Sequence, residues 1–451
     1  ADCAAIKASV VMPTYNRAGL IGAAVRSVLT QSHSDLELLV VDDGSTDDTI
    51  ERLARIDDPR LRVFEADHRG VSAARNVALN HATGSVVFYL DSDNTWTHDH
   101  VKLMLTGLHV SGADCAYAAS CLVTETGELL GYRGEPFDWR ACLSANYVDM
   151  NVFAHRIGLV AERGGFDEHL RRVVDWDLIL RYSKGRKVAY LPYVGCLYLD
   201  SVGDANRITV SQPYLFRKVV AQKNRLGRTT AAETWDALSL SFAIKIAAPY
   251  EKRAEWGDFH YADSLSDALK RRGHEARIDF RGDWSLPSAW KDDVALVIRG
   301  LEGHRALPSQ ITVMWNISHP DQVPYEEYAA CNVVMVASRS YAALLSLILE
   351  RPVHALLQCT DTERFHLPQD APPIDPEARG LFVGNSRREY RQMVRWSVEN
   401  DVEIDIYGTL WEDFIPPERI AGQNVPNTEL SAKYRSARFV LNDHWQSMKD
   451  F

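Results

Sequence analysis

Short apolar runs that break off in polar turns recur through the opening of the chain. Ala8 to Met12 is followed by a turn holding Pro13 and Asn16, and then by Leu20, Ala24, Val25, Val28 and Leu29 at helical spacing. Leu36 to Val41 stops at Asp42-Asp43-Gly44-Ser45-Thr46-Asp47, after which Thr49 to Ile56 returns to a helical period, with Asp47 placed to cap it. A third run, Leu61 to Phe64, precedes Gly70 and a helix over 71–82, and Val86 to Leu90 ends in Asp91-Ser92-Asp93-Asn94. Strands alternating with helices predict an α/β fold with a mainly parallel sheet covered on both faces. Ligands of such sheets bind beyond the carboxyl ends of the strands, where these polar turns fall.

The rhythm changes at Tyr214. From there to Glu233 the chain is polar and basic, with Arg217, Lys218, Lys223, Arg225 and Arg228, and reads as a helical bridge. Strand-like runs return at 243–247, 276–280, 294–298, 311–315 and 333–336, with a helical pattern over 261–272. A Pro-rich stretch at 367–376 suggests a hinge, after which 380–383, a helix over 389–399 and a strand over 403–407 begin another α/β unit. The expected division is a first domain over 1–213, a helical linker over 214–237, a first Rossmann-like lobe over 238–370 and a partial second lobe over 371–451.

Composition narrows the class without naming it. A chain of 451 residues suits two or three domains, at roughly one per 150 residues. Apolar residues at 46% and charged residues at 25% are ordinary for globular proteins, and a formal charge of -11 sets aside general nucleic-acid binding, which needs a basic face. A nucleotide ligand is still allowed. No run reaches the ~18 to 20 apolar residues of a bilayer-crossing helix and the opening lacks a signal-peptide pattern, so a soluble, cytoplasmic protein is expected. The seven cysteines (Cys3, Cys115, Cys121, Cys142, Cys196, Cys331 and Cys359) form no C-x-x-C pair and no zinc spacing, and read as thiols without chemistry. The chain begins at Ala1 without a methionine, so its ends carry little argument.

The chemistry concentrates in the polar turns. Two hard oxygen ligands in Asp91-Ser92-Asp93, at the end of a strand, suit Mg²⁺ or Mn²⁺ bridging a diphosphate, although a solvated acidic turn is the bland alternative. The order of motifs changes that balance: M-P-T-Y-N-R at 12–17, V-V-D-D-G-S-T-D at 40–47, G-V-S-A-A-R-N at 70–76, Y-L-D-S-D-N at 89–94, G-G-F-D-E at 164–168 and D-W-D-L at 175–178. Together they resemble the family 2 glycosyltransferases over about the first half of the chain. The resemblance implies a GT-A fold, a nucleoside-diphosphate sugar donor with UDP favoured, a divalent metal, inversion at the anomeric carbon, and a glycan, polysaccharide or glycolipid acceptor.

On that resemblance Pro13 and Tyr15 touch the nucleoside, and Asp43, with Asp42 beside it, accepts a hydrogen bond from the base. Arg75 offsets the diphosphate charge, and Asp93 holds the metal. Asp91 meets the ribose, the metal or its bound water. Asp175 is the general base toward the acceptor hydroxyl. Structural alternatives stand beside these roles: a helix cap or Asx turn for Asp43, a surface ion pair for Arg75 and a helix cap for Asp175. Asp177 points elsewhere, since residues two apart on a helix do not share a face. Many relatives carry a metal-reaching His in a Y-R-x-H segment. Leu197-Tyr198-Leu199-Asp200-Ser201 has none, which leaves the third ligand open between Asp200 and no protein group. His155 reads as a residue of the acceptor wall or a satisfied core histidine.

In the second half, N-I-S-H-P at 316–320, L-L-Q-C-T-D at 356–361, L-F-V-G-N-S at 381–386 and V-L-N-D-H-W at 440–445 resemble glycosyltransferase group 1 domains of GT-B fold, a subgroup related to spore maturation. In that fold Gly384 and Asn385 begin the second lobe near the diphosphate, and His319 lines the cleft or is a structural loop histidine. The chain stops at Phe451, before the acidic residue that normally binds the donor ribose, so this lobe reads as truncated. Two other classes compete for the whole: a nucleotidyltransferase, which needs a Gly-rich basic loop that 13–17 lacks, and a non-catalytic nucleotide-sugar binder.

Overall fold

A computed structural model describes residues 6–200, 213–284, 286, 288, 291–366, 368–370 and 375–443. The chain divides into two compact units, Ala1–Leu238 and Ser239–Phe451.

In the first unit, β1 (Ala8–Thr14) and β2 (Leu36–Asp42) are buried at every position, as strands covered on both faces must be. They pair in parallel with each other, with β3 (Leu61–Glu65) outside β2 and β4 (Val86–Tyr89) beside β1. Between them run α1 (Ile21–Leu29), α2 (Thr49–Leu53) and α3 (Val71–His81). Ile21, Val25 and Val28 of α1 share a core with Val10, Met12, Leu38 and Phe88. To this point the architecture is the expected α/β alternation.

Beyond β4 the sheet is mixed rather than mainly parallel. It is extended by β5 (Thr95–Trp96), β6 (Cys115–Val123), β7 (Leu129–Arg133), β8 (Phe153–Arg156) and β9 (Val188–Leu199), in the order β3-β2-β1-β4-β8-β6-β9-β5, with β7 also on β6. Strand β8 runs antiparallel to both β4 and β6, which turns the sheet away from the pure crossover pattern. The helices of this half are α4 (His100–Ser111), α5 (Trp139–Ser144), α6 (Gly158–Arg163) and α7 (Val174–Ser183).

The stretch expected as a linker begins with a helix, α8 (Leu215–Leu226), but that helix belongs to the first unit. Its Lys223 is fully buried and donates to Asp167 Oδ2 at 2.7 Å and Asp177 Oδ2 at 2.9 Å, so its basic composition disguises an inward face. The break falls after Leu238.

The second unit holds a six-stranded and a four-stranded sheet, each all-parallel among the described residues. The first has the order β11 (Glu275–Asp279), β10 (Ser241–Lys245), β12 (Val294–Arg299), β13 (Ile311–Asn316), β14 (Val333–Val336) and β15 (Val353–Ala355). The second has β18 (Ile420–Gly422), β17 (Ile404–Tyr407), β16 (Gly380–Val383) and β19 (Val440–Leu441). No described helix of either unit is long and apolar enough to cross a membrane.

Candidate active site

The polar turns at the carboxyl ends of β1, β2 and β4 are tied into one rim. Asn16, with φ of 50°, is a left-handed residue of a type that tolerates that region. Its Oδ1 accepts the Thr46 N–H at 2.7 Å and its own N–H donates to Ser45 Oγ at 2.8 Å. Asp47 accepts from Ala18 N–H at 3.0 Å and Thr49 N–H at 3.1 Å, bracing the start of α2, but the N-cap position expected for it is held by Asp48. Pro13 lies at the buried end of β1, and Tyr15 emerges half-exposed with its ring stacked on His68, centroids 4.3 Å apart.

The paired aspartates divide their labour. Asp42 accepts the Ser45 N–H at 2.8 Å and the Ser45 hydroxyl at 2.5 Å, which occupies its carboxylate locally. Asp43 forms neither a cap nor an Asx turn: its Oδ1 accepts Arg69 N–H and its Oδ2 accepts Gly70 N–H, both at 2.9 Å. His68 Nδ1 donates to the Asp43 carbonyl at 2.8 Å and lies 3.2 Å from its Oδ2. Asp43 therefore anchors the entry to α3, where Gly70 takes a φ of 94° that side chains resist.

Arg75, one turn into α3, is almost wholly buried, so the surface ion pair does not describe it. Its Nη2 donates to Asp91 Oδ1 at 2.7 Å, and the guanidinium lies over the Phe166 ring at 5.1 Å. The neighbouring Asn76 holds the Gly164–Glu168 loop, accepting Phe166 N–H at 2.7 Å and donating to the Phe166 carbonyl at 3.0 Å and Glu168 Oε1 at 2.9 Å.

Sequence reasoning missed the support behind Asp91. Buried Asn151 accepts the Asp91 N–H at 2.7 Å and donates through Nδ2 to Asp149 Oδ1 at 3.0 Å, while Asp149 also accepts from Ser120 Oγ at 2.5 Å. Asn151 lies sixty residues from Asp91 with no motif to flag it. Asp93 sits 3.6 Å from Arg17 Nε.

Asp175 stands in the first turn of α7, behind Val173, a β-branched residue in left-handed backbone (φ 53°) of the strained kind that gathers at functional sites. Its carboxylate takes a hydrogen bond from Asn146 Nδ2 at 3.3 Å. Burial pushes its pKa above the ordinary Asp range; the Arg75 charge works against that shift, and the charges of Asp91 and Asp149 add to it. Asp177 faces the other way, buried, and bonds Arg181, Lys223 and Asn224.

His155 is a satisfied core histidine. The Arg156 carbonyl 2.9 Å from Nδ1 can only accept, so Nε2 is the acceptor for the Tyr89 hydroxyl at 2.8 Å. Burial lowers its pKa to about 4 and keeps it neutral.

Among the described residues no three His, Cys, Asp or Glu side chains gather as a metal cage, so Asp200 does not complete one with Asp91 and Asp93. Two carboxylates suffice for a Mg²⁺-like ion, which takes one or two from protein and the rest from phosphate and water. The donor set fits such an ion.

Residues 9–134 match the family model described as Glycosyl transferase family 2. Over those residues the chain is similar to the family 2 glycosyl transferases. Similar proteins include the chondroitin synthase of Pasteurella multocida (strain Pm70), 31% identical over 193 residues, covering 41% of this chain and 19% of that protein. The putative teichuronic acid biosynthesis glycosyltransferase TuaG of Bacillus subtilis (strain 168) is 36% identical over 134 residues, covering 29% of this chain and 50% of TuaG. Escherichia coli WfgD, named a UDP-Glc:alpha-D-GlcNAc-diphosphoundecaprenol beta-1,3-glucosyltransferase, is 35% identical over 99 residues, covering 22% of this chain and 39% of that enzyme. The chain thus spans from a fifth to a half of the length of these relatives. Among solved structures, S. aureus TarS 1-349 in complex with UDP aligns over 58% of this chain and 83% of its own, at 20% identity and a TM-score of 0.38, too distant to add to the topology above.

Proposed function

We propose that the glycosyl transferase domain moves a sugar from a nucleoside-diphosphate donor, UDP favoured, to a hydroxyl of a glycan, polysaccharide or glycolipid, with inversion. The observation that carries the reading is the set of three carboxylates at one edge of the sheet, with Arg75 paired to Asp91 and its charge felt at Asp175. Asp175 removes the acceptor proton during attack at the anomeric carbon, a role its raised affinity for protons favours. Asn146 steadies one of its oxygens. Tyr15 stacks on the base, and Asp43 reads the ring N–H through the lone pairs left over from Arg69 and Gly70.

Asp91 and Asp93 would hold Mn²⁺ or Mg²⁺, which supplies positive charge to the leaving diphosphate. A nucleotidyltransferase is disfavoured because the end of β1 and the turn after it read Pro13-Thr14-Tyr15-Asn16-Arg17, with no glycines to cradle a phosphate. A non-catalytic binder would not need a raised, half-buried carboxylate facing its ligand. Asp93→Asn is expected to abolish transfer without unfolding the protein. Full activity in that variant, or in excess chelator, overturns the metal-dependent reading.

For the second unit we propose a group 1-type, GT-B-like region, as its motifs suggest. Two successive parallel sheets support it, as does a cavity of about 320 Å³ lined by Asp258, Tyr261, Ser318, His319 and Arg387, among others. His319 and Arg387 both adopt left-handed backbone, with φ of 50° and 53°, as ligand-clamping residues often do. Gly384 and Asn385 follow β16 as expected, and Asn385 Oδ1 accepts the Thr409 N–H at 2.8 Å. His444 and Trp445 of the last motif lie outside the described residues.

A further inference from the structure

Strand β8 enters the sheet between β4 and β6 and runs against both, so its first residues lie beside the carboxyl end of β4, where Asp91 opens the acidic turn. The single helical turn Met150–Val152 that leads into β8 brings Asp149 and Asn151 there, buried at 6% and 2% exposure. Every polar group of Asn151 is used. Its Oδ1 accepts the Asp91 N–H at 2.7 Å, its N–H and its Nδ2 both donate to Asp149 Oδ1 at 3.0 Å, and its carbonyl accepts Trp96 Nε1 at 2.6 Å. Nδ2 also stands 3.5 Å from Asp91 Oδ2, the oxygen that Arg75 does not hold. Asp149 is the unusual member of this set. Its Oδ2 accepts from Ser120 Oγ at 2.5 Å, so its donors among the described residues are all neutral. A buried carboxylate without a cation beside it is costly, and such groups gather where function uses the charge. Burial raises the Asp175 carboxyl, and the charge of Asp149 adds to that shift, so it reaches the site.

We propose that Asp149 is a positioning residue for the divalent cation: through Asn151 it fixes the Asp91-Ser92-Asp93 turn, and from behind that turn it supplies negative charge that the cation answers. The inference rests on the proposed metal role of the turn. Two effects combine in it. An amide engaged at every polar group cannot rotate, so the main chain of Asp91 is held in one place whether or not a cation is present, as groups behind a metal ligand commonly do. The second effect is electrostatic. Attraction across a buried amide is screened far less than through water, so Asp149 draws a dication toward the turn without touching it. The amide also has a fixed sense: because Oδ1 takes the Asp91 N–H, Nδ2 is left to donate, and a carboxylate, which only accepts, is what suits it. The antiparallel strand thus has a use at the site, since its entry brings a second acidic residue under the first.

The test separates charge from packing. In the full-length protein, Asp149→Asn keeps an oxygen for Asn151, and the Ser120 hydroxyl can turn to accept from the new amide, so the metal-free variant should melt close to wild type. Its Mn²⁺ affinity, followed by electron paramagnetic resonance with and without UDP, should fall about 10- to 100-fold, the usual effect of losing a group behind a metal ligand. Asn151→Ser cuts the link from the other side, keeps the charge, and should also weaken Mn²⁺ binding, which guards against a folding defect peculiar to the first variant. Ser120→Ala takes a donor from the same network but leaves both the charge and the link; it should lower the melting temperature and weaken Mn²⁺ far less. Unchanged Mn²⁺ affinity in Asp149→Asn or in Asn151→Ser overturns the proposal. An equal loss in Ser120→Ala overturns it too, because the network would then support the fold alone. A wild-type protein that binds no Mn²⁺ even with UDP present overturns the metal reading itself, and this inference with it.

Discussion

Replacing Lys223 by methionine tests how the first unit holds the Gly164–Glu168 loop. The ammonium lies between Asp167 and Asp177, with side-chain exposures of 0%, 3% and 0%, and Arg181 shares the Asp177 oxygen at 2.8 Å. The Asp167 oxygen also accepts Ala231 N–H at 2.6 Å, and Arg181 reaches the Arg163 and Gly165 carbonyls at 2.7 Å. Methionine matches the stem but leaves two carboxylates facing one guanidinium. Breaking a buried pair on one side costs ~3–5 kcal/mol, and the surviving Arg181 places the expected loss near the lower end, ~3 kcal/mol. A unit of this size converts that into a fall of roughly 6–12 °C in melting temperature.

Chemical and thermal denaturation of the full chain, with Lys223→Met/Asp177→Asn alongside both single variants, should show the double variant losing at least ~1 kcal/mol less than the sum. The effect also depends on pH. Burial works to raise the Asp167 carboxyl, but Lys223 together with the Ala231 and His169 N–H groups outweighs it and holds the pKa below the ordinary range. Its stabilisation is present above the unfolded value of ~3.9 and disappears as pH falls through the folded one, so wild type and Lys223→Met should converge in acid. A loss under ~1 kcal/mol at neutral pH, the range of exposed pairs, would refute the argument.

Other outcomes follow from the same geometry. Asp175→Asn should lower transfer by about 10²- to 10⁴-fold. Because burial raises this carboxyl, its charged form costs the folded state at neutral pH, so the variant should melt no lower than wild type. Wild-type transfer would sink the base assignment. The acid limb of kcat/KM should lie above the reference Asp value of ~3.9, with rate falling as pH drops through it; a limb at or below that value contradicts the shift. Gly165→Ala would set a Cβ 2.4 Å from Asn76 Oδ1 and should cost ~1–3 kcal/mol, an effect that Asn76→Ala in the same chain should partly relieve in denaturant titrations. Asp43→Ala should weaken UDP binding and destabilise the start of α3; calorimetry showing unchanged UDP affinity would end the base-reading role.

The strands of the first half were legible because each is an apolar run stopped by a polar turn, and the turns at Asp43 and Asp91 fall where an α/β sheet presents its ligands. The antiparallel strands were not. β8 is four residues long and placed by its partners β4 and β6 rather than by any period of its own. Asn151 and Asp149 escaped because they act through contacts across 60 and 29 residues, which no local pattern records. The inward Lys223 of α8 was hidden for a related reason: the basic stretch reads as a helical bridge, yet this one side chain turns inward because two distant aspartates receive it. Arg75 is expected beside a diphosphate, and its pairing with Asp91 across sixteen residues is a contact that no local pattern records.

Helix α3 works as a gear with fixed teeth. Asp43 pins its entry through Arg69 and Gly70, and the adjacent residues Arg75 and Asn76 leave it about 100° apart, one toward Asp91 and the other toward the Gly164–Glu168 loop. One residue inserted or lost between Gly70 and Arg75 would rotate both side chains off their partners together, and no single substitution elsewhere would return them. Homologous chains that keep this chemistry are therefore expected to vary freely in length at the β6–β7 turn, where Gly127 sits in open space, and not at all over these six positions.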